Sequence, residues 1–126
     1  MNKNYVFILN IIIFNIIMKL GIIGNGYVGK ATYQFACKDI DILVYDIIPN
    51  LCIPINIKLE DLKSCEIIFI CLPTPMLVNG KCYIKFIENI VDELNKINYE
   101  GIKVIRSTVP PGTCDKLNCC FMPEFL

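Results

Sequence analysis

Three glycines and one aspartate have the types and the spacing that can bind a dinucleotide. Gly24, Gly26 and Gly29 form a GxGxxG pattern, and Asp46 follows about 20 residues after its start. In such a pattern the first glycine permits a tight turn, the second lets the backbone approach a pyrophosphate, and the third lets a helix pack closely against a strand. A carboxylate at this distance can accept hydrogen bonds from both ribose hydroxyls and repels the extra phosphate of NADP. The four residues predict an NAD site; the alternative role of Asp46 is that of an ordinary turn residue at a strand end.

Strand and helix patterns surround these glycines. The apolar run Met18–Ile23 predicts a strand that ends at Gly24, and the apolar residues of 27–37 predict a helix. A second apolar run, residues 42–45, predicts a strand that ends at Asp46. Strand, glycine turn, helix and strand form the unit in which a helix N-terminus meets the phosphates. The apolar face of the helix is expected to consist of Val28, Ala31, Phe35 and Ala36.

The remainder of the chain continues to alternate between strand and helix patterns. An apolar stretch at residues 65–72 predicts a strand that is buried on both faces, and apolar residues at helical spacing predict a helix over 84–97. Such alternation is typical of an α/β fold, and it predicts a doubly wound parallel sheet, a shortened Rossmann-like domain, over residues 18–126. The other predicted elements are a short helix at 59–64, a strand at 102–109, a proline-started helical turn at 110–117 and an apolar run at 119–122.

The composition narrows the chemistry that the chain can perform. Basic and acidic residues number 12 each, so no net field attracts nucleic acid, and we expect no such partner. The chain has no histidine, so it lacks the commonest metal ligand and every Ser-His or Cys-His catalytic pair. The eight cysteines show no C-x-x-C spacing. We therefore predict small buried thiols in a reducing compartment, no metal site and a cytoplasmic location.

The first 17 residues form an apolar extension with three competing interpretations. As a signal peptide it lacks a convincing basic start and a small-residue cleavage site. As a membrane anchor its apolar part, residues 5–17, is shorter than the roughly 20 residues of a spanning helix and is interrupted by Asn10 and Asn15. We favour the third interpretation, a translated leader before a true start at Met18, and membrane association through residues 5–17 remains open.

Three later motifs connect the chain to a known family. They are CLPTPM at residues 71–76, STVPPGT at 107–113 and PEFL at 123–126, and each lies at or after the end of a predicted strand. In this order, after a GxGxxG turn, they resemble the N-terminal NAD-binding domain of the UDP-glucose/GDP-mannose 6-dehydrogenase family. The 3-hydroxyacid dehydrogenases share the glycine turn but not this pair of late motifs. The resemblance extends from Met18 to the last residue.

The resemblance implies a reaction and a set of site residues. In that family NAD accepts two successive hydrides while the C6 alcohol of a nucleotide sugar, most often UDP-glucose, becomes a carboxylate by way of a thioester on a cysteine. By resemblance, the cofactor is cradled by Gly24, Asn25, Gly26, Tyr27, Val28 and Gly29, with its ribose on Asp46. Its adenosine and ribose side is lined by Pro73, Thr74 and Pro75, and its nicotinamide side by Ser107, Thr108 and Val109. The catalytic residues are Thr108, which positions a water, and Glu124, a general acid/base that takes a proton from water.

The chain also departs from the family pattern. The segment between Asp46 and the strand at 65–72 is shorter than usual and contains prolines, Leu51 stands where a basic residue is common, and Met122 stands where Asn commonly precedes PEF. The family's segments with the catalytic cysteine, lysine and asparagine, and its dimer-forming helix, would lie beyond Leu126, and none of the eight cysteines stands in the nucleophile's context.

We therefore expect the NAD-binding portion of a nucleotide-sugar 6-dehydrogenase. This portion would be truncated, split between genes or excerpted, and inactive until the missing part is supplied; only then would it take a nucleotide sugar. As protein partners we expect a homo-oligomer or a complementing subunit. The alternative is a stand-alone, non-catalytic dinucleotide-binding module or a decayed remnant.

Overall fold

A single parallel sheet organises the chain, as predicted. The computed structural model describes residues 17–124, and the five strands lie in the order β2-β1-β3-β4-β5. The strands and helices are β1 Met18–Ile23, α1 Tyr27–Tyr33, β2 Ile40–Tyr45, β3 Ile67–Ile70, α2 Lys85–Lys96, β4 Ile102–Ile105, α3 Thr113–Leu117 and β5 Cys120–Phe121. Two 3-10 helices, Pro49–Leu51 and Leu59–Ser64, lie between β2 and β3. The doubly wound α/β fold expected from the alternating pattern is confirmed.

The strand order places a crevice between β1 and β3. The chain runs from β1 to β2 on one side and then crosses to β3 on the other side of β1, so the direction of winding reverses there. The register aligns Ile23 with Tyr45 and with Ile70, and Ile70 with Ile105, so the carboxyl ends of four strands lie in one row. Ligands of such sheets bind at this edge, beside the reversal point. The predicted site residues lie in the loops after these strands, except for Tyr27, Val28 and Gly29 at the start of α1 and Glu124 after β5.

Both faces of the sheet are buried. Helix α2 covers one face with the inward side chains of Ile87, Val91 and Leu94, which pack on Ile68 and Ile70 together with the 3-10 helix Leu59–Ser64. The opposite face, on the side of α1, contains a second apolar cluster. Its buried members are Leu20, Ile22, Ile42, Val44, Phe69 and Val104.

Helix α1 differs from its prediction in length and in its buried face. It ends at Tyr33, and Ala31, Phe35 and Ala36 are exposed, so the predicted apolar face is wrong. The helix buries Gly29 and Thr32 instead. The hydroxyl of Thr32 donates to the carbonyl of Val28 at 2.7 Å, which satisfies a polar group against the sheet. A face made of a glycine and a threonine leaves no apolar periodicity in the sequence.

Other boundaries agree more closely. Helix α2 is confirmed within one residue at each end of the predicted 84–97. Strands β3 and β4 are shorter than 65–72 and 102–109, because the backbone leaves the sheet at Cys71 and at Arg106 and begins the loops of the carboxyl edge. In the described part of the chain no helix has the length and hydropathy to cross a membrane. Residues 1–16 lie outside the described range, so the three interpretations of the extension remain predictions.

Candidate functional site

The glycine turn joins β1 to α1 in a conformation that its three glycines permit. Gly24 has a φ of 94°, and a Cβ there would lie 2.5 Å from the carbonyl oxygen of Cys71 at the end of β3. A Cβ on Gly29 would overlap the carbonyl oxygen of Gly24. A Cβ on Gly26, in contrast, would have no atom within 4 Å. The turn is therefore tightly packed on its inner side and open at Gly26, which is the opening that a pyrophosphate needs for close approach.

The start of α1 leaves backbone donors for a ligand. No side chain caps the helix at Gly26, and the first N–H groups of an α-helix have no partner within the helix. The predicted contact residues Tyr27 and Val28 belong to this first turn, so their backbone is the part that can contact phosphate. The side chain of Tyr27 is 89% exposed, and it is free to cover a ligand on the turn.

The sequence left two roles for Asp46, an ordinary turn residue at a strand end and a carboxylate that binds ribose. The geometry of its side chain is compatible with both. Its Oδ2 accepts a hydrogen bond from the backbone N–H of Asn25 at 2.9 Å, and its Oδ1 accepts one from the N–H of Ile48 at 2.9 Å. The side chain of Asn25 donates to the carbonyl of Leu51 at 2.8 Å. Asn25 therefore fastens the turn to the loop after β2 through its backbone and its side chain. An ionised carboxylate has about four acceptor sites, so Asp46 retains capacity for ribose hydroxyls.

A groove lies beside Asp46, next to the short segment that follows β2. Its volume is about 430 Å³, which lies in the range of small-molecule sites. Its walls combine the apolar residues Ile57, Leu59 and Ile90 with charged residues at the rim. The rim residues are Asp46, Lys58, Glu60 and Glu93. The structure thus shows an open groove that begins at Asp46.

Tyr45 forms part of the groove wall next to Asp46. Burial raises the pKa of Tyr45 above its ordinary value, and the nearby Cys52, Glu60, Asp46 and Glu93 raise it further. The phenol therefore stays protonated at neutral pH, when its O–H remains available as a donor in the groove.

Two of the predicted hydroxyl groups connect loops to each other. The hydroxyl of Thr74 donates to the carbonyl of Thr108 at 2.7 Å, and the hydroxyl of Ser107 donates to the carbonyl of Leu72. The loops after β3 and β4 are thus joined twice. Thr108 itself is exposed, and its hydroxyl makes no hydrogen bond to another residue within 17–124, so it is available to a water or a ligand.

The other predicted residues of these loops are placed differently. Pro73 and Pro75 are exposed on either side of Thr74, where they shape the edge of the crevice. Val109 packs on the apolar cluster under α2, so its side chain does not point to the ligand edge. Cys82, which sequence analysis did not select, places its sulfur 3.8 Å from the carbonyl oxygens of both Thr74 and Thr108. It is a third contact between the two loops.

Glu124 contacts a residue that sequence analysis missed. Arg106, the first residue after β4, forms an ion pair with Glu124, and its carbonyl accepts the backbone N–H of Glu124 at 3.3 Å. The signal was present in the sequence, because Arg106 is the only arginine of the chain and directly follows an apolar strand. The structure thus attaches Glu124 to the segment that carries Thr108.

The thiols near the crevice are poorly suited to nucleophilic chemistry. Burial raises the pKa of Cys71 to about 11, and the hydrogen bond of Thr32 and the charge of Arg106 offset this only in part. Burial also raises to about 11 the pKa of Cys65 and of Cys119, which precede β3 and β5 and so lie away from the crevice. Thiols with such values are protonated near neutrality and react slowly. This agrees with the expectation that these cysteines are not the nucleophile of the family.

Known proteins of one family are similar to this chain. Residues 50–124 match the UDP-glucose/GDP-mannose dehydrogenase family, NAD binding domain. The UDP-glucose 6-dehydrogenase of Rickettsia typhi is 34% identical over 56% of this chain and 19% of its own. That of Rickettsia prowazekii is 27% identical over 86% of this chain and 35% of its own. The chain therefore spans between 19% and 35% of the length of these two relatives.

A solved structure supports the fold. The UDP-glucose dehydrogenase from the hyperthermophilic archaeon Pyrobaculum islandicum superposes with a TM-score of 0.68 at 20% identity, over 87% of this chain and 36% of that chain. The family match covers more than half of the chain and includes Thr74, Thr108 and Glu124, which confirms the resemblance drawn from the motifs. The chain belongs to the UDP-glucose/GDP-mannose dehydrogenase family and carries its NAD-binding domain, whose cofactor is NAD.

Proposed function

We propose that this chain binds NAD across the carboxyl edge of its sheet and supplies the cofactor side of a nucleotide-sugar 6-dehydrogenase. The observation that carries the proposal is the pairing of an open glycine turn with a fixed carboxylate. Gly26 leaves space for a pyrophosphate, and Asp46 is held against the same turn through Asn25 with acceptor sites to spare. These features fit an adenosine diphosphate moiety that has free ribose hydroxyls.

Each part of the edge then has a task. The glycine turn and the first turn of α1 bind the pyrophosphate through backbone N–H groups, and Asp46 accepts the ribose hydroxyls. The groove beside Asp46 receives the adenine, against the apolar walls of Ile57 and Ile90. The loop at Thr74 lines the adenosine and ribose side, and the loop at Thr108, which is bonded to it, lines the nicotinamide side. Bound NAD supplies the hydride acceptor.

The residues on the nicotinamide side act on a water molecule. The free hydroxyl of Thr108 orients the water, and the carboxylate of Glu124 takes its proton when the acyl intermediate of the family reaction is hydrolysed. The proton moves from the water oxygen to a carboxylate oxygen of Glu124. We propose that further polypeptide supplies the nucleophilic cysteine and the sugar site, and that turnover requires it.

The substrate class is a nucleotide sugar. The relatives carry the names UDP-glucose 6-dehydrogenase and, for the Pyrococcus horikoshii protein at 26% identity, UDP-N-acetyl-D-mannosamine dehydrogenase. Both names describe oxidation of a UDP-linked sugar. We propose UDP-glucose as the substrate, because the Rickettsia relatives are named for it. We expect the polypeptide that supplies the sugar site to determine which nucleotide sugar is bound.

Calorimetric titration of the full chain with NAD and NADP tests the cofactor proposal. We expect one NAD per chain, weaker binding of NADP, and a loss of NAD affinity of about tenfold or more in Asp46→Asn. Asp41→Asn, at an exposed aspartate of β2, should bind NAD like the unchanged chain. A folded chain that binds neither nucleotide would refute the proposal. NAD binding without activity after addition of a complementing polypeptide would support the non-catalytic module instead.

A further inference from the structure

The charge of Arg106 is buried at the carboxyl end of β4. Its side chain is 4% exposed, and a buried charge is costly unless other groups compensate it. The guanidinium carbon lies 6.0 Å from the ring centroid of Phe69, within the range of cation–π attraction. Its Nε is buried and has no hydrogen-bond partner within residues 17–124. Glu124 is therefore the principal compensating group of Arg106 in the described part of the chain.

Arg106 holds Glu124 at two points. Its Nη2 pairs with Oε2 of the carboxylate, and its carbonyl accepts the backbone N–H of Glu124 at 3.3 Å. These two contacts with Arg106 fix both the backbone and the carboxylate of Glu124 relative to β4. The side chain of Glu124 is 30% exposed, and its Oε1 makes no hydrogen bond to any other residue in the range 17–124. One carboxylate oxygen is thus anchored, and the other has no hydrogen-bond partner among the described residues.

The segment that anchors Glu124 is itself fixed. The hydroxyl of Ser107 bonds to Leu72, and the carbonyl of Thr108 accepts the hydroxyl of Thr74. Arg106 is the residue directly before these two, so it shares their attachment to the loop after β3. The position of the carboxylate is consequently coupled to that of the free hydroxyl of Thr108.

We propose that Arg106 is a positioning residue for Glu124. It anchors Oε2 so that Oε1 faces the ligand edge beside Thr108, in the orientation needed to accept a proton from water. This inference rests on the proposed function, in which Glu124 is the proton acceptor. Arg106 acts through Glu124, and its replacement should disorder the carboxylate while it leaves the glycine turn and Asp46 intact.

The single arginine makes a direct test available. In the full chain labelled with 15N-arginine, all guanidinium signals in the NMR spectrum come from Arg106. We expect separate Nη signals in the unchanged chain, because the ion pair hinders rotation of the guanidinium, and an averaged signal in Glu124→Gln. Glu100→Gln, at an exposed glutamate, is the matched control and should keep the separate signals. Averaged Nη signals in the unchanged chain would overturn the proposal.

A second measurement separates positioning from a purely structural role. Side-chain 13C relaxation of Glu124 should show a restricted carboxylate in the unchanged chain and in Arg106→Lys, and larger motion in Arg106→Met. NAD affinity should stay within twofold in both variants. A carboxylate that stays equally restricted in Arg106→Met would overturn the proposal. If Arg106→Met does not fold, the guanidinium signals of Glu124→Gln decide the question.

Failure of the proposed function and failure of the positioning role of Arg106 give different experimental results. All of these signals are recorded without cofactor, so a chain that shows the arginine and glutamate signatures but binds no NAD would refute the proposed function alone.

Discussion

The carboxylate of Asp46 bonds to two backbone segments at once. Its Oδ2 accepts the N–H of Asn25 in the glycine turn, and its Oδ1 accepts the N–H of Ile48 in the loop that follows β2, both at 2.9 Å. The loops that follow β1 and β2 are therefore joined before any ligand binds. A substitution at this position acts on the fold as well as on the ribose site, and the two effects must be measured separately.

Replacement of Asp46 should lower the free energy of unfolding, by more in Asp46→Ala than in Asp46→Asn. Asp46→Ala removes both acceptors, and because a hydrogen bond to a charged group contributes about 1.5–3 kcal/mol, we expect the free energy of unfolding to fall by about 2–3 kcal/mol. Asp46→Asn keeps one acceptor oxygen and should lose about half as much. Urea denaturation measures the difference. Asp41→Asn should change stability by less than about 0.5 kcal/mol, and an equal loss in Asp41→Asn and Asp46→Ala would contradict the assignment.

The glycines of the turn separate ligand binding from folding. Gly26→Ala adds a methyl group in open space, so its melting temperature should stay within about 2 °C of the unchanged chain, while NAD affinity falls about tenfold or more. Gly29→Ala places its methyl group on the carbonyl of Gly24 and should destabilise the fold by about 2 kcal/mol or more. Thermal melts and calorimetry on the same preparations test this. Unchanged NAD affinity in Gly26→Ala would show that the ligand does not approach this turn.

Two threonines offer a matched test of the contact between loops. Thr74→Val removes a hydroxyl that bonds to the carbonyl of Thr108, and a neutral hydrogen bond contributes about 1 kcal/mol to stability. Thr108→Val removes a hydroxyl without such a partner and should change stability by less than about 0.5 kcal/mol. Hydrogen exchange of residues 106–109 should accelerate in Thr74→Val only. Equal acceleration in both variants would contradict the role of the Thr74 hydroxyl.

Alkaline pH should weaken the fold through a buried thiol. The pKa of Cys65 is raised from 9.0 to about 11, chiefly by burial, so the folded chain holds its proton more tightly than the unfolded chain. The corresponding stability is fully present below pH 9 and is lost as the pH rises from 9 to 11. Urea denaturation at pH 7 and pH 10 should show a loss of stability that is smaller in Cys65→Ala by about 1 kcal/mol. Cys37→Ala, at an exposed thiol, should keep the full loss.

Much of the fold was predictable because burial leaves a local pattern in apolar strands and in α2. Helix α2 presents Ile87, Val91 and Leu94 to the sheet at helical spacing, and its bounds agree within one residue of the prediction. The buried face of α1 was not predictable in this way. Thr32 is buried because its hydroxyl finds a partner in Val28, and Gly29 because a side chain would not fit. Neither cause appears as hydrophobic periodicity.

The candidate site, like the fold, has parts that the sequence predicts and contacts that it does not predict. The glycines, Asp46 and the loops with Thr74 and Thr108 could be assigned to one edge, because the carboxyl ends of parallel strands lie together. The bond between Thr74 and Thr108 spans 34 residues of sequence and depends on side-chain geometry, as does the pairing of Arg106 with Glu124. Their roles toward a ligand remain predictions that the experiments above address.

The short segment after Asp46 has a consequence for assembly. Val44 exchanges backbone hydrogen bonds of 2.8 and 2.9 Å with Ile53, and Ile40 exchanges bonds of 3.2 and 3.3 Å with Cys37, on the side of β2 that faces away from β1. An uncovered outer strand is a template for pairing with foreign chains. Here both ends of β2 are occupied by the chain's own backbone, and of the residues that face this side only Ile42 lies between the two bridges. Two short bridges thus protect this side of the sheet, as far as residues 17–124 show, against fibre-like aggregation.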